Sequence, residues 1–444
     1  MRGFLFSIIL CLVPCLMYGQ DTFYYCNGEK MPLTAAMTRS VSSSNTYYDK
    51  NGGELTLTGY VYIKLKSPSD YEVLDRVATK YGLKIVEHDE LMPLWYVLQN
   101  SNIASTVDIA NTIYETGMFA ECSPDFSTSG TEISYDPDVI WQWNLYNSSN
   151  KGIDINVSKA WNCSTGRGVV IAIVDEGIDL NHKDLADNIF PESFDAREGK
   201  SPSKIYGDHG THCAGIAAAV RNNGIQVTGV APDAKLMSVS DVLDTTALSA
   251  YNHARGIMWA WKHGADIISC SWNCAEEYIV AEAIDSAVVR GRKGKGCIVV
   301  KSAGNGDYPF ITFPGNCYGV IAVANINKYG ERPKAKKYGS NYGESMFLSA
   351  PGTAICSTVP NDLTNTYSGT SMAAPHVSGV AALMLERNPE LTVWQVREIL
   401  ARTAKKLDSM NLNINKDYGL WNKYFGYGLV DAYEAVLKSI SLKY

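Results

Sequence analysis

The chain has 444 residues, 46% of them hydrophobic and 19% charged, with a formal net charge of −7. That is the balance of an ordinary folded protein, with room for one large core and a smaller unit at about 100–200 residues per domain. A modest acidic excess without any basic run gives no electrostatic footprint for nucleic acid as a partner.

The first element is a leader. "MRGFLFSIILCLVPCLMYGQ" sets Arg2 ahead of an apolar stretch from Phe4 to Met17, followed by Gly19. The stretch is short for a bilayer span and polar sequence follows it, the pattern of a secretory signal over 1–19. A lipid anchor on Cys11 or Cys15 is the competing reading, and Pro14 directly before Cys15 weakens it. Export is therefore expected, either out of the cell or into a periplasm, with no membrane attachment once the signal is removed. Of eleven cysteines, Cys11 and Cys15 fall in this leader, which leaves nine. An odd number in an oxidising compartment leaves at least one thiol free or paired with another chain. There is no Cys-x-x-Cys pair, so a structural zinc or a thioredoxin-like redox site is disfavoured.

Residues 20–55, with "RSVSSSNTYYDKNGGE", read as a flexible lead-in. "GYVYIKL" (59–65) then reads as a strand, and the next stretch sets Leu74, Val77, Ala78 and Tyr81 on one helical face before Gly82 stops it. "LKIVEH" and "LWYVLQ" follow as strands. A second helix carries Val107, Ala110 and Tyr114 before Gly117, and "MFAEC" closes the set. The order β-α-β-β-α-β over 59–122 is the ferredoxin-like split βαβ motif, a small α+β unit. Polar sequence ("STSGTEISYDPD", 127–138) opens a linker placed over 127–141.

From residue 142 to 444 short, continuously apolar strands alternate with helices: "VVIAIVD" (169–175), "KLMSV" (235–239), "DIISC" (266–270), "CIVVKS" (297–302) and "VIAVA" (320–324), with helical stretches at 249–262 and 276–290. Strands apolar on both faces predict an α/β fold, a parallel sheet with helices on both sides. Ligands in such sheets bind beyond the carboxyl ends of the strands. Asp175 and Asn305 fall there, and Ser371 falls between a Gly-Thr turn and a long apolar helix. Taken singly, each has a plain explanation as a cap or turn residue. "YGDHGTHCAGIAAAV" (206–220) leaves a metal site, a redox site and a general base all open.

Together, "DEGID", "HGTHCAG", "SAGN" and "GTSMAAPHVSG", in that order, resemble the signature segments of the subtilisin-like serine peptidases, the subtilases. The resemblance runs from "QWNLYN" (142–147) to "GYGLVDAYEAV" (426–436). It implies Ser371 as nucleophile, His209 as base, Asp175 as the residue orienting it, and the Asn305 side chain with the Ser371 N–H as oxyanion donors. A metalloprotease would need H-E-x-x-H, and Gly210 and Thr211 stand between the histidines, so His212 is expected to be structural. Cys213 matches the thiol-bearing branch of the family, as a small buried hydrophobe behind His209 and a target for mercurials.

The resemblance also implies a cleft that binds polypeptide as an added strand. Ser271, Trp272 and Asn273 stand where the family usually shows Ser-Leu-Gly, and Thr312 and Phe313 should line the pocket floor. Trp272 is either a pocket wall or plain core packing. "VRNNGIQVTGVAP" (220–232) resembles the family's calcium loop, with Asn223, the carbonyls of Arg221, Ile225 and Val227, and Asp184 as donors; an ordinary surface turn is the alternative. Catalysis itself should need no cofactor. Glu176 stands where Ser or Thr commonly follows the aspartate, and should favour positive groups at the cleft or tune its pH dependence. The unit at 20–126 matches the family's inhibitory propeptide, removed by self-cleavage within 123–136 to leave an enzyme starting near "YDPDVIWQW". The expected protein is a secreted serine endopeptidase made as a zymogen. The alternatives are a specialised leader peptidase or peptide macrocyclase, and a non-catalytic binding module on the same fold.

Overall fold

The computed structural model describes residues 22–26, 28–35, 45–48, 54–128, 134–243, 247–335 and 338–441, so the leader expected over 1–19 lies outside the described residues. The chain divides into two compact units, Met1–Glu132 and Ile133–Tyr444.

The first unit opens with β1 (Thr22–Cys26), β2 (Glu29–Ala35) and β3 (Thr46–Tyr48), which pair antiparallel in turn and join β4 (Glu54–Lys64). These strands correct the flexible lead-in expected over 20–55. The overlooked signal is the Asn-Gly pair at 27–28 between two runs of apolar residues, with Gly28 at φ +78 in the left-handed region a tight hairpin turn requires. After β4 come α1 (Tyr71–Tyr81), β5 (Leu83–His88), β6 (Trp95–Asn100), α2 (Thr106–Glu115) and β7 (Glu121–Thr128). The antiparallel order β7-β4-β6-β5 is that of the split βαβ motif. Leu74, Val77 and Ala78 of α1 and Ala110 and Ile113 of α2 pack on Val61, Ile63 and Leu98 of the sheet. α1 ends where Gly82, at φ +66, turns its N–H back to the Ala78 and Thr79 carbonyls.

The linker expected over 127–141 is shorter than its composition suggested. β7 runs to Thr128, and from Ser134 the chain is already fastened into the second unit. The reason is Asp136, 2% exposed, whose carboxylate accepts from the N–H of Asn222 at 2.9 Å, that of Gly224 at 3.0 Å, and the hydroxyls of Thr228 and Ser134. A buried carboxylate needs such donors, and polar sequence supplies them.

The second unit is built on β8 (Val170–Asp175), β9 (Phe194–Asp195), β10 (Lys235–Ser240), β11 (Ile267–Cys270), β12 (Ile298–Ser302), β13 (Ile321–Ile326), the short ribbon of β14 (Lys334–Ala335) and β15 (Tyr338–Gly339), and β16 (Leu348–Pro351). All but the ribbon form one parallel sheet in the order β16-β13-β12-β11-β8-β10-β9. Ile171, Ala172, Ile173 and Val174 are all buried although successive side chains point to opposite faces, so the sheet is covered on both sides. The helices are α3 (Val157–Ala160), α4 (His209–Ala218), α5 (Ser249–Lys262), α6 (Tyr278–Gly294), α7 (Thr370–Arg387), α8 (Val393–Thr403) and α9 (Ala432–Ser441), with an antiparallel hairpin of β17 (Ile355–Val359) and β18 (Leu363–Tyr367) ahead of α7. The five strands read from the sequence are here; β9, two residues long, and β16 gave too short a pattern to find. α6 runs past the expected end at 290, with non-helical backbone at Gly291, Arg292 and Lys293.

Candidate active site

Asp175 is the last residue of β8 and is 1% exposed; His209 is the first residue of α4. Two glycines let these elements meet. Gly177 turns the chain at φ +92, and a Cβ on Gly210 would lie 2.3 Å from the Gly177 carbonyl oxygen. With the backbones in contact, Asp175 Oδ1 lies 2.7 Å from His209 Nδ1 and also accepts the Glu176 N–H at 2.8 Å. Burial alone would lower the pKa of this imidazole, but Asp175 first and Cys213 after it together outweigh burial and hold His209 well above its ordinary value. Burial pushes the Cys213 thiol up, which keeps it protonated beside the pair.

Ser371 lies in the first turn of α7. Pro375, four residues on, has no N–H, so the Ser371 carbonyl is spared its helical bond. That carbonyl accepts instead from the Ser271 hydroxyl at 2.8 Å and the Cys213 thiol at 3.5 Å, while Cys213 Sγ stands 3.9 Å from His209 Nδ1. Cys213 thus touches both halves of the site. The Ser371 hydroxyl donates to the Ser271 carbonyl at 3.0 Å, and no hydrogen bond joins it to His209 among the described residues.

Asn305 follows β12 and is exposed. Its Oδ1 accepts from the Thr370 N–H at 2.9 Å and the Thr370 hydroxyl at 3.0 Å, which fixes the amide and leaves Nδ2 free to donate. A Cβ on Gly369 would stand 3.3 Å from Asn305 Nδ2 and 3.7 Å from the Ser371 nitrogen. The glycine therefore leaves open a spot flanked by two N–H donors at a helix start, where negative charge is favoured.

Other expected residues sort themselves by burial. His212 is fully buried, stacks on Tyr367 at 4.5 Å and meets the Asn365 carbonyl at 3.1 Å; burial pulls its pKa down to about 3. Of the two readings of Trp272, the structure favours core packing over the pocket wall. Its indole is 4% exposed, donates to the Val174 carbonyl at 2.8 Å and stacks on His253 of α5 at 3.9 Å, so it belongs to the core. Asn273 is exposed and Phe313 buried, and the Cys274 N–H reaches the Phe313 carbonyl at 3.4 Å, tying the two segments together. Thr312 fills the space beside Gly304, where a Cβ would meet its Oγ1 at 2.9 Å.

Of the residues expected to hold calcium, Asp184, Asn223, Ile225 and Val227 are joined by hydrogen bonds. Asp184 is fully buried; its Oδ1 accepts from the Asn223 amide at 2.8 Å and its Oδ2 from the Val227 N–H at 2.9 Å, while Asn223 Oδ1 accepts from the Ile225 N–H. Arg221, Ile225 and Val227 line the same turn. Burial first, then Asp136 and Asp138, push the Asp184 carboxyl up to about 7. A buried carboxylate near two others suits a hard divalent cation, although both of its oxygens are met by N–H donors, so Asn223 and the carbonyls would have to turn toward an ion for it to bind.

Three further contributors carried little signal in the sequence. Thr370, which orients Asn305, and Pro375, which frees the Ser371 carbonyl, are ordinary helix-start residues until the helix is placed. The Glu176 carboxylate, noted above only for its charge, accepts the main-chain N–H of His209 at 3.2 Å.

The sequence pattern of the subtilase family matches residues 166–428. A calcium-dependent protease of Nostoc sp. is 30% identical over 431 residues, a match covering 86% of this chain and 63% of that protein's length. Thermitase of Thermoactinomyces vulgaris is 35% identical over 283 residues, covering 64% of this chain and 93% of thermitase. Among solved structures, a protease of Pseudoalteromonas arctica is 30% identical with a TM-score of 0.57, covering 69% of this chain and 99% of that one.

Proposed function

This chain belongs to the subtilase family of serine peptidases, and on that premise we propose that it is an exported serine endopeptidase, made as a zymogen, in which Ser371, His209 and Asp175 act as a triad. The supporting observation is the convergence around Cys213: the Asp175–His209 pair at 2.7 Å on one side and the start of α7 on the other.

In this scheme polypeptide substrate displaces the Ser371 hydroxyl from the Ser271 carbonyl. The hydroxyl then gives its proton to His209 Nε2 as it attacks the scissile carbonyl. Asp175, bonded to Nδ1, sets the tautomer and stabilises the imidazolium, which returns the proton to the leaving amine. Asn305 Nδ2 and the Ser371 N–H receive the oxyanion beside Gly369. The cleft edges are the 271–273 and 312–313 segments, with Ser271 serving the nucleophile rather than the pocket. Catalysis uses these side chains alone. Calcium, held by Asp184, Asn223 and carbonyls of Arg221, Ile225 and Val227, would serve stability by neutralising a buried carboxylate.

The first unit serves as the propeptide and inhibitor, and the apolar stretch after Arg2 directs export. Within the proposed 123–136 region, a cut between Thr128 and Ser134 is the reading we favour, because it would spare both β7 and the anchorage of Asp136.

A fluorophosphonate probe tests the proposal. Purified protein should be labelled at Ser371, and Ser371→Ala should be unlabelled and remain at full length. Labelling elsewhere, or a shortened chain from the purified alanine variant, would contradict it.

A further inference from the structure

We propose that Glu176 is a positioning residue, which caps the helix bearing His209 from outside that helix and favours its protonated imidazole. The inference rests on His209 being the general base.

The first N–H groups of any α-helix lack partners within it. Asp208, the residue before α4, makes no side-chain capping bond. The acceptor comes instead from the turn after β8, where Glu176 Oε2 meets the His209 N–H at 3.2 Å. The fit is tight. A Cβ on Gly207 would lie 2.1 Å from Oε2 and 2.5 Å from the carboxyl carbon, so the group lies flat against a backbone that only glycine leaves bare. A carboxylate at this end of a helix is favoured by the aligned peptide dipoles. One half-buried group therefore fixes the residue that must meet Ser371, next in sequence to the aspartate that orients it.

The charged and titratable neighbours are Asp175, bonded to the imidazole at Nδ1; Asp208, bonded by the Tyr367 hydroxyl at 3.4 Å; and Cys213, His212 and Tyr367 itself. Burial pushes the Glu176 carboxyl up, the His209 N–H pulls against it, and Asp175 and Asp208 add to the rise. Negative charge here favours the imidazolium, so its removal should make His209 easier to deprotonate.

The test is the pH profile of kcat/KM on a neutral chromogenic peptide, for the active purified protein and for three variants. Glu176→Gln keeps the shape and the acceptor but loses the charge, and should move the acid limb down by about 0.5–1 pH unit. Glu176→Ala loses both, and should in addition lower kcat about tenfold with KM little changed, as expected for a misplaced base. Gly207→Ala displaces the carboxylate without removing it and should resemble Glu176→Ala. An acid limb unmoved in Glu176→Gln overturns the proposal, as does a kcat for folded Glu176→Ala within twofold of the parent; Glu176→Gln carries the test if the truncation does not fold. A parent protein that is inactive and unlabelled by fluorophosphonate overturns the triad as well, whereas an active parent with an unmoved limb overturns this inference only.

Discussion

Ser271 and Ser371 hold each other twice, each hydroxyl donating to the other's carbonyl, at 2.8 Å from Ser271 and 3.0 Å from Ser371. The pairing depends on Pro375, which leaves the Ser371 carbonyl without a helical donor, and on the extension of β11, which brings Ser271 to that carbonyl. The start of α7, with the proposed nucleophile, is thereby pinned to the sheet.

Ser271→Ala removes a donor from a part-buried carbonyl that keeps the Cys213 thiol, a loss of about 1 kcal/mol. The expected result is a melting temperature lower by roughly 2–4 °C per kcal/mol lost, together with a several-fold drop in kcat. Calorimetry in the Ser371→Ala background, free of self-digestion, reads the first; steady-state kinetics reads the second. A melting temperature unchanged by Ser271→Ala would show that the Cys213 thiol alone satisfies the carbonyl.

Asn305 and Thr370 form an analogous pair, in which Thr370 aims the amide proposed to meet the oxyanion. Asn305→Ala should lower kcat about 10²–10³-fold at little changed KM, a magnitude established for this family's oxyanion asparagine. Thr370→Val deletes one of the two bonds to Asn305 Oδ1 and keeps the other, from the Thr370 N–H at 2.9 Å. Its expected loss is smaller, about tenfold or less, and again falls in kcat. Equal losses in the two variants would mean that Thr370 contributes beyond aiming the amide.

The parallel sheet was legible because its strands are continuous apolar runs, and the strand-end polar residues stood out against them. What escaped lies in direction and partnership. Ser269 and Ser271 both face α7, where Ser378 bonds Ser269 at 3.0 Å, so alternation along the extended chain puts Trp272 on the opposite face under α5. Period-two counting from Ser269 would have decided between the two readings of the indole in favour of the core. The strands Thr22–Cys26, Glu29–Ala35 and Thr46–Tyr48 went unread because the polar run at 39–54 set the reading for the whole stretch. Asp136 shows the same limit, since nothing local reveals that a carboxylate in polar sequence will be buried against residues 222–228.

The raised pKa of His209 sets the pH dependence. A base must be neutral to act, so kcat/KM should rise with pH along a limb lying above the 6.5 of a free imidazole. Asp175→Asn removes the opposing charge, leaves burial in command and should bring that limb below 6.5, with kcat falling by about 10⁴ as in other serine-protease triads. The stability sign runs the other way. A histidine held above its unfolded pKa contributes stability that is full below about 6.5 and is lost as pH rises through the folded value. The Ser371→Ala protein should therefore melt at lower temperature as pH climbs through the same limb, and Asp175→Asn should flatten that dependence.

Calcium should act on stability through Asp184. This carboxylate is fully buried, and no Lys or Arg pairs with it among the described residues. Any cation that binds the folded state alone stabilises it by mass action, about 2.7 kcal/mol at a hundred times Kd. Millimolar calcium should accordingly raise the melting temperature of the Ser371→Ala protein by several degrees, and EDTA should reverse the gain. Asp184→Asn removes the charge and turns one of its two acceptors into a donor facing the Asn223 amide or the Val227 N–H, so this variant should start from a lower melting temperature and melt alike with calcium and with EDTA. A parent protein indifferent to both would mean that the Asn223 amide and the Val227 N–H close the loop unaided, and that the fold needs no ion there.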